Sequence, residues 1–174
     1  MINFVTYWQW FWKGTGSKPG FHRLLNIWLL IHLLVGLNLA LLTPVNLEKA
    51  ANVVLLPLVG IIIGLSFAWA GNAQALLQSD EIDKLSNFHK GGFFEYVYIY
   101  QTAILIIIFS LVLWAFAGLE IFDQVWPTEK NIIGYLLLKM LLFALSSLTL
   151  RECWHVVLGT QWMLLTQREI RQHK

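Results

Sequence analysis

The sequence has few of the residues that keep a soluble domain in water. Only 13% of its 174 residues are charged and the formal net charge is +2, whereas 57% are apolar and the mean hydropathy is +0.63. This composition is typical of an integral membrane protein and excludes a soluble globular domain. The basic residues lie beside apolar segments, where they set orientation in a membrane, so we expect no direct nucleic-acid binding.

Cysteine and the usual catalytic patterns are also scarce. Cys153 is the only cysteine, which excludes an intramolecular disulfide and a thiolate metal cluster. The sequence contains no recognisable nucleophile–base pair, phosphate-binding loop or carboxylate cluster. We therefore expect no catalytic site and no metal site, and we expect that the protein is not an enzyme.

What the sequence does contain is four apolar segments long enough to cross a bilayer, which needs about 20 helical residues. They lie at about 24–42, 52–72, 93–118 and 131–150, and the last is predicted to continue as a cytoplasmic helix to about residue 168. Residues 1–13 have a helical period of aromatic residues and predict an interfacial amphipathic helix in the headgroup layer. The predicted fold is all-α, an integral membrane bundle of four helices. Residues 1–174 are predicted to form a single transmembrane domain in contact with the lipid bilayer.

The orientation follows from the distribution of Lys and Arg. Nine of the twelve lie before the first segment, between the second and third, or after the fourth. The other two connections hold only Lys49 and Lys130, and Lys139 lies within the fourth segment. Because cytoplasmic ends carry the excess of Lys and Arg, both termini are predicted to be cytoplasmic, in a bacterial inner membrane.

The fourth segment can be placed in the membrane in two ways. A helix over residues 131–166 is about 54 Å long, whereas the hydrocarbon core is about 30 Å thick. A span at 132–150 buries Lys139 and leaves Arg151 at the cytoplasmic interface, whereas a span at 141–164 brings Arg151, Glu152 and His155 to mid-depth. A charge at the bilayer centre costs about 3 kcal/mol or more, which favours the first placement.

Small residues recur along the second segment at spacings of four. They are Gly60, Gly64, Ala68 and Asn72. A stripe of small side chains lets two membrane helices approach closely. We expect this stripe to be a contact within the bundle or the face through which the protein forms a homo-oligomer.

Polar residues gather on one side of the fourth helix at spacings of three, four and seven. They are Arg151, Glu152, His155, Gly159 and Thr166. One interpretation is a polar strip that lines a pore or meets a partner; the alternative is an interfacial helix whose polar side faces water. The charged residues Glu81, Asp83, Arg168 and Arg171 are expected to form a docking surface for a soluble cytoplasmic partner protein.

Two further polar residues, His32 and Lys139, are predicted to lie within the membrane. If His32 and His155 came to one depth, they could ligate a haem as in an electron-transfer anchor. That arrangement requires the second placement of the fourth helix. We expect no cofactor, and a purely structural membrane anchor is the other alternative.

The chain resembles the four-span membrane components of bacterial anti-phage systems, namely RexB-like exclusion proteins and the membrane subunit of Kiwa-type defence. The resemblance rests on the span number, on the cytoplasmic termini, and on a second span of the type Leu65-Ser66-Phe67 that runs into a helical extension. It also rests on a final helix with His155 upstream of Thr166, Arg168 and Glu169. The resemblance implies an oligomer that leaks ions or senses envelope damage together with a cytoplasmic partner.

Overall fold

The structure, a computed structural model, describes residues 6–14, 19–80, 92–122 and 132–172. These residues are almost entirely helical, and no strand occurs among them, which confirms the predicted all-α class. Three helical stretches are long and apolar enough to cross a membrane, and a shorter apolar helix of 16 residues accompanies them. The three are Leu47–Leu77, Val97–Gly118 and Ile132–Gln172, and the shorter helix is Ile27–Leu42.

The elements follow the apolar segments of the sequence. In chain order they are α1 (Tyr7–Lys13), a 3₁₀ turn (Gly20–Arg23), α2 (Ile27–Leu42), α3 (Leu47–Ala50), a π-helical turn (Ala51–Leu55), α4 (Leu56–Leu77), α5 (Gly92–Gly118) and α6 (Ile132–Gln172). Asn26 caps α2 and Asn46 caps α3 by accepting backbone N–H bonds. The π turn precedes Pro57, a residue that cannot donate the backbone bond of a regular helix.

The long helix α6 is the centre of the fold, because α2, α4 and α5 all pack against it. Its buried face runs from Lys139 to Met163. Trp114 of α5 is fully buried against Phe143, and its Nε1 donates to Ser146 Oγ at 2.8 Å. On another face of α6, Gly36 brings the α2 backbone so close that a Cβ there would collide with Met140 and Ala144.

Contacts along α6 show the relative directions of the helices. In α2, His32 contacts Ser147 while Thr43 contacts Lys139, so α2 runs antiparallel to α6. In α5, Trp114 contacts Ser146 whereas Tyr100 contacts Thr160, which is again antiparallel. In the α3–α4 stretch, Leu47 contacts Tyr135 and Trp69 contacts Thr160, which is parallel. The four helices therefore alternate in direction along the chain.

The N-terminal helix α1 is docked onto α5. A reciprocal cap between Thr6 and Gln9 begins it. Trp10 is 1% exposed and packs on Tyr98, whereas Trp8 and Trp12 are 63% and 62% exposed. The helical period of residues 1–13 puts Trp8 and Trp12 on one aromatic face, and both stay exposed. Trp10 is buried on the neighbouring face, because that face contacts α5 and Gly20.

Candidate functional site

A cavity of about 470 Å³ lies between α5, α6 and the 3₁₀ turn. It extends along α6 from Glu152 to Thr166, a rise of about 21 Å at 1.5 Å per residue. Apolar side chains form much of its wall. The polar groups that line it are Arg23, Tyr100, Glu152, His155 and Thr166.

Four of the five residues of the predicted polar strip meet in this cavity. Glu152, His155, Gly159 and Thr166 line it together, because helical spacing aligns them on one face of α6. Arg151 turns towards α2 instead. Its guanidinium lies 5.5 Å from the ring centroid of Trp28 and 3.9 Å from the Glu152 carboxylate.

Arg23 is a cavity residue that the sequence did not single out. In the sequence it is one of the basic residues that precede the first apolar segment, and the 3₁₀ turn directs it towards α6. It lines the main cavity and a small adjoining recess that also contains Arg151. Arginine stays protonated in proteins. The end of the cavity near Glu152 therefore contains the positive charge of Arg23, from the 3₁₀ turn, and the negative charge of Glu152, from α6.

Tyr100 lines the cavity, and Thr160 lies beside its hydroxyl in the packed core. Thr160 is fully buried, donates to the Val156 carbonyl at 2.8 Å, and lies 3.4 Å from the Tyr100 hydroxyl. Gly159 provides the space for that hydroxyl, since a Cβ there would lie 2.7 Å from it. A second cavity, of about 530 Å³, lies on the other side of Tyr100 between α4 and α5.

His32 and Lys139, the two residues predicted to lie within the membrane, are both outside this cavity. His32 is 6% exposed, and its Nδ1 lies 2.8 Å from Ser147 Oγ. Lys139 is also 6% exposed and donates from Nζ to the Thr43 carbonyl at the end of α2. Ser147 lies eight residues before His155, about 12 Å along α6. His32 does not line the cavity that contains His155, so the geometry does not favour a haem shared by the two.

The small-residue stripe of α4 lies on the outer surface of the helix bundle. Among the described residues, no atom of another helix comes within 4 Å of a Cβ built on Gly60 or Gly64. Ala68 and Asn72 are exposed as well. The residues of α4 that pack into the fold are Val59, Ser66, Ala70, Ala73 and Leu77. The stripe therefore makes no helix contact within the described chain, and its role between copies stays a prediction.

The predicted docking residues are only partly described. Arg168 and Arg171 lie on the exposed C-terminal end of α6. Glu81 and Asp83 lie outside the described residues. The structure therefore provides an exposed basic helix end, and the acidic half of the predicted surface stays a prediction.

Comparisons with protein-family models, curated proteins and solved structures find no match to this chain. In the residues with described positions, no three His, Cys, Asp or Glu side chains lie close enough to share a metal ion. The functional assignment therefore rests on the charged cavity and on how the bundle fits a membrane.

Proposed function

We propose that the chain is a four-span inner-membrane protein whose outer boundary lies at the level of Thr43 and Lys139. The polar connection from Thr43 to Asn46 follows the end of α2 there, and Leu47 donates its backbone N–H to Tyr135 at 3.1 Å. Irregular backbone exposed to lipid does not occur within the hydrocarbon core. This argues against the placement that buries Lys139 about 12 Å deep.

The inner boundary is proposed to lie about 30 Å away, near Thr160. From Lys139 to Thr160 the rise along α6 is about 32 Å. At that level α1 docks through Tyr7, whose hydroxyl lies 3.2 Å from Thr102 Oγ1, and α1 exposes Trp8 and Trp12. Tryptophan is enriched at membrane interfaces, which supports the predicted interfacial role of α1.

This placement brings Arg23, Glu152 and His155 into the inner half of the membrane. Ionisable residues at such depth are costly unless they pair or face a water-filled cavity, and they commonly mark an ion or substrate pathway. Here Arg23, Glu152 and His155 line the membrane-embedded end of a cavity. The cavity leads along α6 towards Thr166 and the predicted cytoplasmic side. This meeting of charges is the observation that carries the functional proposal.

The function proposed is that of a membrane sensor or ion-leak effector. The cavity serves as a cytoplasmic vestibule, and the protein self-associates because one copy of four helices does not enclose a complete aqueous channel. The exposed basic end of α6 is the docking point for a soluble cytoplasmic partner. A role in anti-phage defence or stress response is proposed from the resemblance described above.

Ion flux through proteoliposomes tests this function. Under an imposed membrane potential, wild-type protein is expected to leak K⁺ or protons above the level of protein-free liposomes. Glu152→Gln should change that leak at least about threefold, because it removes the carboxylate at the membrane-embedded end of the vestibule. Arg168→Gln, on the exposed end of α6, is the matched control and should leave the leak unchanged. A wild-type leak equal to that of empty liposomes would favour a purely structural anchor.

The haem alternative has its own test. A visible absorption spectrum of the purified protein detects a Soret band if haem is bound. A Soret band that is present in the wild type and absent from both His32→Ala and His155→Ala would support an electron-transfer site and contradict the vestibule proposal.

A further inference from the structure

Another groove, of about 400 Å³, lies between α2 and the stretch formed by α3 and the π turn, with α6 as its floor. Val35 and Leu39 of α2 form one wall of the groove, and Val53 and Val54 of the π turn form the other. These four side chains are between 37% and 65% exposed. The groove is therefore an open apolar surface and not part of the packed core.

The polar groups of the groove floor already have partners within the protein. Ser146 Oγ receives the Trp114 indole N–H and donates to the Leu142 carbonyl at 3.1 Å. Ser147 Oγ lies 2.8 Å from the His32 ring nitrogen. Because these hydroxyls are satisfied, the floor does not require water, and the groove suits an apolar occupant.

The groove has one charged end. Lys49 and Thr43 line it at the level of the proposed outer boundary, whereas Val35 and Leu150 line it about mid-way along the span. The cation Lys49 is exposed at the mouth, with the Glu48 carboxylate as its neighbour in the chain. A groove that is charged at the membrane surface and apolar towards the centre has the polarity of a phospholipid lying in the outer leaflet.

We propose that this groove binds a phospholipid of the outer leaflet, with an acyl chain between α2 and the π turn and the phosphate against Lys49. The acyl chain fills space that α2 and the π turn leave open, since α2 packs mainly against α6. The attraction between an ammonium group and a phosphate fixes the headgroup at the mouth. This inference rests on the membrane placement proposed above, but not on ion conduction.

The test measures phospholipid retained by purified protein, using native mass spectrometry and phosphate analysis after extraction in a phosphate-free detergent. The wild type is expected to retain about one phospholipid per chain. Val54→Trp should reduce retention at least about threefold by filling the groove, and Lys49→Gln should reduce it while Lys49→Arg preserves it. Ile61→Trp, on an exposed position of α4 outside the groove, is the matched control and should retain lipid as the wild type does.

Three results would overturn the proposal. The first is retention that is equal in the wild type and Val54→Trp. The second is a wild type without phospholipid, which would mean that detergent alone fills the groove. The third is a Val54→Trp variant that keeps its lipid but loses its oligomeric state, which would make the groove a contact between copies. Ion flux is measured separately, so failure of the lipid site and failure of the vestibule can be told apart.

Discussion

The Nζ of Lys139 donates a hydrogen bond to the carbonyl oxygen of Thr43, the C-cap residue of α2. The last carbonyls of a helix have no partner within it, so this lysine satisfies one of them and ties α2 to α6. A charge in the interior of an apolar segment thus serves as a helix cap. It also marks the level at which the chain leaves the membrane in the proposed placement.

The proposed topology predicts opposite labelling of two introduced cysteines. In a Cys153→Ala background, Lys49→Cys should react with a membrane-impermeant maleimide on cells whose inner membrane is intact. Arg168→Cys should react only after that membrane is permeabilised, because α6 ends on the cytoplasmic side. The background variant without an added cysteine is the control, and labelling of Arg168→Cys in intact cells would contradict the topology.

The docking of α1 predicts different effects for two neighbouring tryptophans. Trp10→Ala should destabilise the protein by about 3–5 kcal/mol, because it leaves a cavity against Tyr98 and Gly20. Trp12→Ala removes an exposed ring and should change the unfolding free energy by about 0.5 kcal/mol or less. Thermal unfolding in detergent, followed by circular dichroism, measures both. Similar losses for the two variants would show that α1 does not dock through Trp10.

The vestibule wall predicts a clash that a second substitution relieves. Gly159→Ala places a methyl group 2.7 Å from the Tyr100 hydroxyl and should destabilise the protein by about 1–3 kcal/mol. Tyr100→Phe removes that hydroxyl, so the double variant should recover part of the loss even though the contact with Thr160 is missing. A double-mutant cycle on the unfolding free energy checks this. Strictly additive losses would mean that Gly159 and Tyr100 do not meet.

The exposed stripe of α4 predicts a self-association face. Gly64→Leu should lower the oligomeric state in detergent, because the added side chain keeps two backbones apart. Leu65→Trp adds bulk one position along the same helix, where the side chain is also exposed, and should leave the oligomer intact. Light scattering coupled to size-exclusion chromatography compares the two. An unchanged mass for Gly64→Leu would remove the packing hypothesis.

The helices themselves could be read from the sequence. The predicted span at 93–118 corresponds to α5 at Gly92–Gly118, and the predicted extension of the last helix is present as one helix to Gln172. Such elements depend on local apolar composition and on the absence of helix breakers, both of which are visible in the chain. The alignment of Glu152, His155 and Gly159 was predictable for the same reason, since helical spacing puts them on one face.

Only the tertiary structure decided what those faces meet. Gly36 lies against the backbone of α6, whereas Gly60 and Gly64 face no other helix in the described chain, because contact depends on which helices become neighbours. Arg23 joined the cavity from a distant part of the sequence for the same reason. Burial of Trp10 instead of Trp12 likewise depends on a surface of α5 that no local pattern in α1 records. Periodicity within a helix is a local property, whereas the partner of each face depends on how the helices pack.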